Sequence, residues 1–282
     1  ARKSEIADMN RTSGLFGWAG WLKGWGSLSK ISQDHRAFSR CLKAWGGVVN
    51  SLDISRIDRD ERLLRGVEDE VEWRDYGADC PPEGRPRKSS IGSIARSASS
   101  DRRKGLWLMA AAQSAIQAAA QPVRILELGT CLGAGGDYLL SGAPVGSTYI
   151  GLEGSASLAD FTRRRLEQHA GMDVSVEAGP FTRTLPAVIQ ANEPFDVVFL
   201  DGCHEGEALR GQWRDLQPLL SPNAMVVVDD IRWSQDMYAA WLHLASEPQW
   251  AALDLFRMGI LTPHDPAIKG GDIRRVSWRQ RA

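Results

Sequence analysis

"RILELGTCLGAGG", residues 124–136, decides the fold of this chain. An apolar run from Arg124 to Leu128 breaks into glycines at 129, 133, 135 and 136. A buried strand, a tight glycine turn and a helix start together bring backbone N–H groups against a ligand. Three ligands compete for such a turn. A nucleoside triphosphate loop ends in Gly-Lys-Ser/Thr so that the lysine reaches the phosphates, and this one does not. A dinucleotide turn needs G-x-G-x-x-G, and in the frame that begins at Gly133 the third glycine is Tyr138. What remains is a turn led by an acid: Glu127, Gly129, Thr130, Cys131, Gly133 and Gly135.

Working outward, the turn sits in an α/β alternation. "VRILELG", "STYIGLEG", "DVSVEAG", "FDVVFLDG" and "AMVVVDDI" read as strands. The first, fourth and fifth are almost continuous apolar runs, as strands buried on both faces should be. Helices are expected over 137–141, 157–169, 181–191 and 205–220, and another after residue 100, capped by Ser99 or Ser100. Strands alternating with helices predict a Rossmann-like, doubly wound, mostly parallel sheet of seven strands. "ALDLFRMGIL" and "DIRRVSW" complete it as an antiparallel C-terminal hairpin.

The E-x-G-x-x-x-G-x-G run resembles the first motif of the class I S-adenosylmethionine-dependent methyltransferases. The physical fit is good, because that cofactor has an amino-acid end, a sulfonium and an adenosine but no phosphate. Glycines admit its methionine portion, the next helix N-terminus favours its carboxylate, and Glu127 complements its positive charge. Glu153, ending the second strand, stands where the family's ribose ligand stands, with Gly154 after it. "VEAGPFTRTLP" is similar to the family's third-strand loop and puts Gly179, Pro180 and Phe181 beside the adenine. An acid or Ser is frequent at Pro180 in the family, so contact there falls to Phe181 or the backbone. The resemblance covers roughly residues 100–282.

The end of the fourth strand bears on the methyl acceptor. Enzymes that methylate base amines carry Asn/Asp-Pro-Pro-aromatic there, and cytosine-C5 enzymes need a Pro-Cys nucleophile. Here the run is Leu200-Asp201-Gly202-Cys203-His204-Glu205. With a formal net charge of −1, no basic field draws nucleic acid either, so nucleic-acid partners are not expected. "LDGCHEG" followed by "VVVDDI" resembles the small-molecule O-methyltransferases. In some members the corresponding acids, here Asp201, Asp229 and Asp230, hold Mg²⁺, which lowers the pKa of a bound hydroxyl. The alternative is that Asp201 binds the cofactor's amino group while Asp229 and Asp230 cap the next helix. His204 is the candidate general base, since its ordinary pKa suits proton transfer near neutrality, with Asp201 as its partner. Arg232 and Trp233 are candidate acceptor contacts. Rival readings are an N- or carboxyl-methyltransferase, a cofactor-binding interaction protein and a nicotinamide-dependent oxidoreductase.

The remaining sequence sets the expected organisation. Residues 1–79 read as a helical extension that lids the acceptor pocket or forms a homodimer contact. Within it, "SRIDRDERLLRGVEDEVEWRDY" carries a rough apolar stripe through Ile57, Leu63, Leu64, Val67, Val71 and Trp73. Trp18, Trp21 and Trp25 recur at helical spacing, as an interfacial or core-packing stripe would. Residues 80–100 read as a basic Ser/Pro-rich connector, and 101–282 as the methyltransferase domain. The chain begins with Ala and shows no signal segment, as a processed or truncated N-terminus would. No apolar run approaches the ~20 residues of a membrane span. The four cysteines lack metal spacing and suit reduced thiols of a cytoplasmic protein.

Overall fold

A computed structural model describes residues 36–48, 52–77, 80–119, 121–191, 193–264 and 274–275. In chain order the elements are α1 (Arg36–Val48), α2 (Leu52–Leu64), β1 (Glu70–Asp75), β2 (Arg85–Ser90), α3 (Ile91–Ala98) and α4 (Arg102–Ala119). Then follow β3 (Arg124–Leu128), α5 (Ala134–Gly142), β4 (Thr148–Glu153), α6 (Ala156–Leu166), β5 (Asp173–Ala178), α7 (Phe181–Gln190) and β6 (Phe195–Leu200). The chain closes with α8 (Gly206–Leu216), a 3-10 turn Gln217–Leu219, β7 (Leu220–Val228), α9 (Gln235–Ser246), β8 (Trp250–Asp254), β9 (Gly259–Pro263) and β10 (Arg274–Arg275). The Trp18, Trp21 and Trp25 stripe lies outside the described residues.

The large sheet runs β10-β8-β9-β7-β6-β3-β4-β5. Strands β3 to β7 are mutually parallel, and β9 enters antiparallel between β7 and β8. The expected doubly wound sheet with its antiparallel C-terminal hairpin is therefore present. Apolar side chains such as Ile125, Val197, Phe199 and Val227 pack on one sheet face with α4 and α5. Leu126, Val198, Leu200 and Val226 pack on the other with α8 and α9. Burial on both faces is why these strands carry near-continuous apolar runs.

The hairpin's turn is placed differently from the sequence reading. "ALDLFRMGIL" is not one strand but the end of β8, a turn and the start of β9. Asp254 Oδ1 accepts from Phe256 N at 2.9 Å, Phe256 takes φ 74°, and Leu255 N returns to Met258 O. A short side chain bonding the backbone two residues on is a turn signal, hidden here by apolar neighbours. Of "DIRRVSW", Arg274–Arg275 pairs parallel with β8.

The segment before β3 also differs. The amphipathic stretch is not one helix: α2 stops at Leu64 and Glu70–Asp75 becomes a strand with alternating exposure. The period-two series Val71, Trp73, Asp75 decides this locally, and Val71 and Trp73 pack towards Ile91 and Ile94. The Pro/Ser/Arg-rich stretch is ordered structure. Arg85–Ser90 pairs antiparallel with β1, and Ser90 Oγ caps α3 by accepting from Ser93 N at 3.2 Å. Asp101, rather than Ser99 or Ser100, caps α4, since its Oδ1 accepts from Lys104 N at 2.9 Å. Helices α1 and α2 share the core of the large sheet through Phe38, Cys41, Val48, Ile54 and Ile57, and Trp45 stacks on Trp107 at 5.5 Å. Among the described residues no helix is long and apolar enough to cross a membrane.

Candidate active site

Strand register assembles the site. Leu128 pairs with Leu200, and Leu200 with Val228, so the next residues, Gly129, Asp201 and Asp229, emerge side by side. Asp201 N donates to Leu128 O and Asp229 N to Leu200 O, both at 2.9 Å, extending the ladder to the rim. This is the carboxyl edge of the sheet, where the chain turns one way into β4–β5 and the other into β6–β7, the usual ligand position of such sheets. Four of the five positive-φ non-glycine residues among those described gather here: Cys131, Cys203, His204 and Asp230. Backbone strain of this kind concentrates at functional sites.

The turn after β3 is a tight cradle. Gly129 takes φ 91°, and a Cβ there would lie 2.3 Å from the Asp201 carbonyl oxygen. Gly133 precedes α5 with φ 80°. A Cβ on Gly135 would lie 2.3 Å from Glu127 Oε1, so the glycine is what admits the Glu127 carboxyl beneath the turn. Glu127 is buried and accepts from Tyr149 Oη at 2.5 Å. Burial raises its pKa to about 8, against the Tyr149 hydrogen bond and the Lys104 charge. Tyr138, standing at the absent third glycine, is buried against Gly105 of α4.

At the next strand end Glu153 accepts from Cys131 N at 2.8 Å and Ser155 N at 2.9 Å. Burial raises its pKa to about 7, with those backbone donors opposing. Tyr76, following β1, lies over Gly154 and against Gly84, and a Cβ on either glycine would strike its ring. Gly179 takes φ 136°, and Phe181 stands against Gly202 beside Asp201. Thus Glu127, Gly129, Thr130, Cys131, Gly135 and Asp201 line one cleft, closed from above by Ala98–Ser100. Ser99 Oγ and Thr130 Oγ1 are buried there without a hydrogen-bond partner. Two unpaired hydroxyls, a left-handed glycine turn and two buried acids suit a ligand with several polar groups and no phosphate. S-Adenosylmethionine fits that donor and acceptor set.

Beyond the cleft lies a charged cluster that the sequence reading did not contain. Lys104 projects from the first turn of α4, hydrogen-bonds Asp229 and approaches Asp201 Oδ2 at 3.1 Å. Burial disfavours its charge, but Asp201 and Asp229 outweigh burial and raise its pKa. Burial also pushes Asp201 well above the ordinary carboxylate range, while Lys104 holds Asp229 below it. Asp229 is therefore the ionised partner, and Asp201 shares the same ammonium less favourably. Asp230 bonds Arg257 at 3.2 Å.

His204 stands between these acids, 3.6 Å from Asp201 Oδ1 and 3.8 Å from Asp230 Oδ2. Those separations are ion-pair range and too long for hydrogen bonds. Its Nδ1 is buried without a partner, and burial lowers its pKa despite Asp230 and Asp229. The ring faces Trp233 at 5.4 Å, and Trp233 is 57% exposed, so it is not core. Arg232 is a structural residue rather than an acceptor contact. It pairs with Asp254 at 2.7 and 2.8 Å and stacks between Tyr238 and Phe256. Cys131 and Cys203 are thiols that burial keeps protonated.

One signal for Lys104 was present in the sequence. It is a lone lysine on the stripe 104, 108, 111, 115 of α4, whose other members are all buried. Ser99 and Tyr76 carried no comparable signal.

Comparisons with known proteins agree with this geometry. The family of methyltransferase domains matches residues 126–231. The catechol O-methyltransferase of Mycobacterium tuberculosis is 34% identical over 114 residues, which cover 40% of this chain and 50% of that protein. The chain thus spans about half the length of that curated relative. Among solved structures, the O-methyltransferase of Bacillus cereus in complex with S-adenosylhomocysteine aligns with TM-score 0.52 at 17% identity, covering 77% of this chain and 93% of that one. TomG of Streptomyces achromogenes, an O-methyltransferase of tomaymycin synthesis bound to S-adenosylmethionine, aligns with TM-score 0.50 at 17% identity, covering 78% and 93%. At that identity both show the shared fold. From the acid-led glycine turn, the strand order and these matches together, residues 126–231 form a methyltransferase domain on the doubly wound fold that these O-methyltransferases share.

Proposed function

We propose that this protein transfers a methyl group from S-adenosylmethionine to a hydroxyl of a small molecule. The observation that carries the reading is the placement of His204 beside the Asp201–Lys104–Asp229 cluster, next to the glycine-turn cleft. Bound there, the cofactor would supply an electrophilic methyl that passes to an oxygen nucleophile, with the thioether S-adenosylhomocysteine as the leaving group.

This chain's residues would then do the following. Glu127 and the Gly129–Gly135 turn hold the amino-acid end, with the hydroxyls of Ser99 and Thr130 as further donors. Glu153 accepts from the ribose hydroxyls, Tyr76 and Gly154 border the ribose, and Gly179 and Phe181 flank the adenine. His204, whose pKa burial lowers, takes the acceptor's proton at Nε2, the ring nitrogen on the Asp201–Lys104 side. Asp230, 3.8 Å from Nδ1, and the ionised Asp229 stabilise the imidazolium that forms. Exposed Trp233 offers a flat face to an aromatic or sugar-like acceptor.

The acceptor class is supported by the neutral general base and by the absence of the residues that base-methylating enzymes need. Incubation with methyl-labelled S-adenosylmethionine and a panel of catechols, phenols and sugars tests the reading. Label on a hydroxyl oxygen is expected, falling at least about a hundredfold in His204→Ala. Label found on amines or carboxylates alone would overturn it.

A further inference from the structure

The three acids that the family resemblance assigns to a divalent ion already meet this chain's own cations. Lys104 Nζ lies between Asp201 and Asp229, and Arg257 reaches Asp230. The backbone that carries Lys104 is fixed, since α4 is capped by Asp101, packed at Gly105 against Tyr138 and buried at Leu108 and Ala111, and the ammonium is held by its two acids. Its side chain is 15% exposed and its ammonium stands 5.9 Å from the Phe199 ring. A Mg²⁺ ion needs carboxylate oxygens at about 2.0–2.1 Å in octahedral array, and an ammonium fills the space between these two. A second cation there would be repelled at close range in a poorly solvated site. Among the described residues no group of three or more His, Cys, Asp or Glu side chains is placed to hold a metal ion. The donor set, with Lys104 in it, does not fit a divalent ion.

We propose that Lys104 is the cation of the acceptor site: fixed by Asp201 and Asp229, its ammonium binds the acceptor oxygen, and methyl transfer by this chain uses no divalent metal. The proposal rests on the methyltransferase reading above. An ammonium has three donors, of which two face Asp201 and Asp229, leaving one for an acceptor oxygen. When the acceptor O–H bond breaks, the proton goes to His204 and the electron pair stays on oxygen. The developing negative charge then forms beside a fixed positive charge, the arrangement most effective in a water-poor site. His204 itself faces Asp201, Asp230 and Trp233, with Asp229 and Lys104 acting on its charge. None of these groups competes for the third ammonium donor.

Mn²⁺ alone is the probe, followed by electron paramagnetic resonance on the full chain saturated with S-adenosylhomocysteine. Wild type should bind no Mn²⁺ below about 1 mM, whereas Lys104→Ala frees two carboxylates and should bind it at least about tenfold tighter. Lys104→Arg, which keeps the charge, should behave as wild type. Methyl transfer by wild type should be unchanged by EDTA and fall at least about a hundredfold in Lys104→Met. Micromolar Mn²⁺ binding by wild type, equal binding by wild type and Lys104→Ala, or transfer abolished by EDTA would overturn the proposal. If Lys104→Ala does not fold, the wild-type Mn²⁺ and EDTA results still decide. Failure of wild type to bind S-adenosylhomocysteine would instead count against the methyltransferase reading, so the two failures are distinguishable.

Discussion

Replacing Gly135 by Ala pits two physical effects against each other. In a helix, Gly→Ala ordinarily stabilises by about 0.5–1 kcal/mol, since the unfolded chain loses freedom. Gly135 lies in the first turn of α5 without a positive φ, so that gain applies. Against it, the new methyl would sit 2.3 Å from Glu127 Oε1 and 3.1 Å from Phe199 Cε1. Glu127 cannot yield cheaply, because it is 1% exposed and bonded to Tyr149 at 2.5 Å. Overpacking costs about 1–3 kcal/mol and displacing a buried hydrogen bond about 1–3 more. The balance is a net loss of about 3 kcal/mol, or a melting temperature lower by about 6–12 °C. Gly211→Ala in α8 is the matched control, since nothing lies within 4 Å of its added methyl. It should raise the melting temperature by about 1–4 °C. Thermal unfolding by circular dichroism reads both. Equal stabilisation by the two substitutions would refute the claim that the Glu127 carboxyl fills the space beneath the turn.

Two further predictions concern titration and the buried ion network. Glu153 and Glu127 have folded-state pKa values raised to about 7 and about 8. A raised carboxyl contributes stability that is full below its ordinary value and lost as pH rises through the folded value. Stability without cofactor should therefore decline between about pH 5 and 8, while S-adenosylhomocysteine affinity rises by up to about tenfold per unit as Glu153 ionises. Isothermal titration at pH 6, 7 and 8 checks the second half, and a flat profile contradicts it. Asp137 lies buried against Arg56 at 2.7 Å, Arg165 at 3.0 Å and His169 at 2.8 Å, tying α5 to α2 and α6. Burial alone would raise its pKa, but His169 and the two arginines hold it far below the ordinary carboxylate range. Its contribution is present above about pH 4 and lost as pH falls further. Asp137→Ala should cost about 3 kcal/mol at pH 7 by urea unfolding, since buried Arg165 and half-exposed Arg56 lose their shared carboxylate and keep only Glu61 and Asp60, and a loss under about 1 kcal/mol would contradict the network's role.

Much of the sheet was legible because burial on both faces forces continuous apolar runs, as in β6 "FDVVFL" and the end of β7 "AMVVV". The glycine turn was legible because close approach excludes side chains at Gly129 and Gly135. The β1–β2 hairpin was not, since Val71 and Trp73 also fit a helical stripe extending from Leu64. The turn between β8 and β9 was hidden because Phe256 and Met258 read as strand when they bound a left-handed bend. Arg232 looked like a ligand contact only because its partner Asp254 lies in a distant segment. Lys104 is the sharpest case. It stands 97 and 125 residues from the acids it joins, so only the fold brings them together. An acid cluster in sequence thus reads as a cation site without revealing that the chain supplies the cation.

The central claim is that the glycine-turn cleft holds S-adenosylmethionine. Titration calorimetry of S-adenosylhomocysteine into the full chain tests it most directly, with Glu153→Ala as comparison and NAD as the competing ligand. One site per chain is predicted, weakened at least about tenfold by Glu153→Ala, with no heat from NAD. Absence of binding by the folded wild-type chain, or equal binding by Glu153→Ala, would contradict the account.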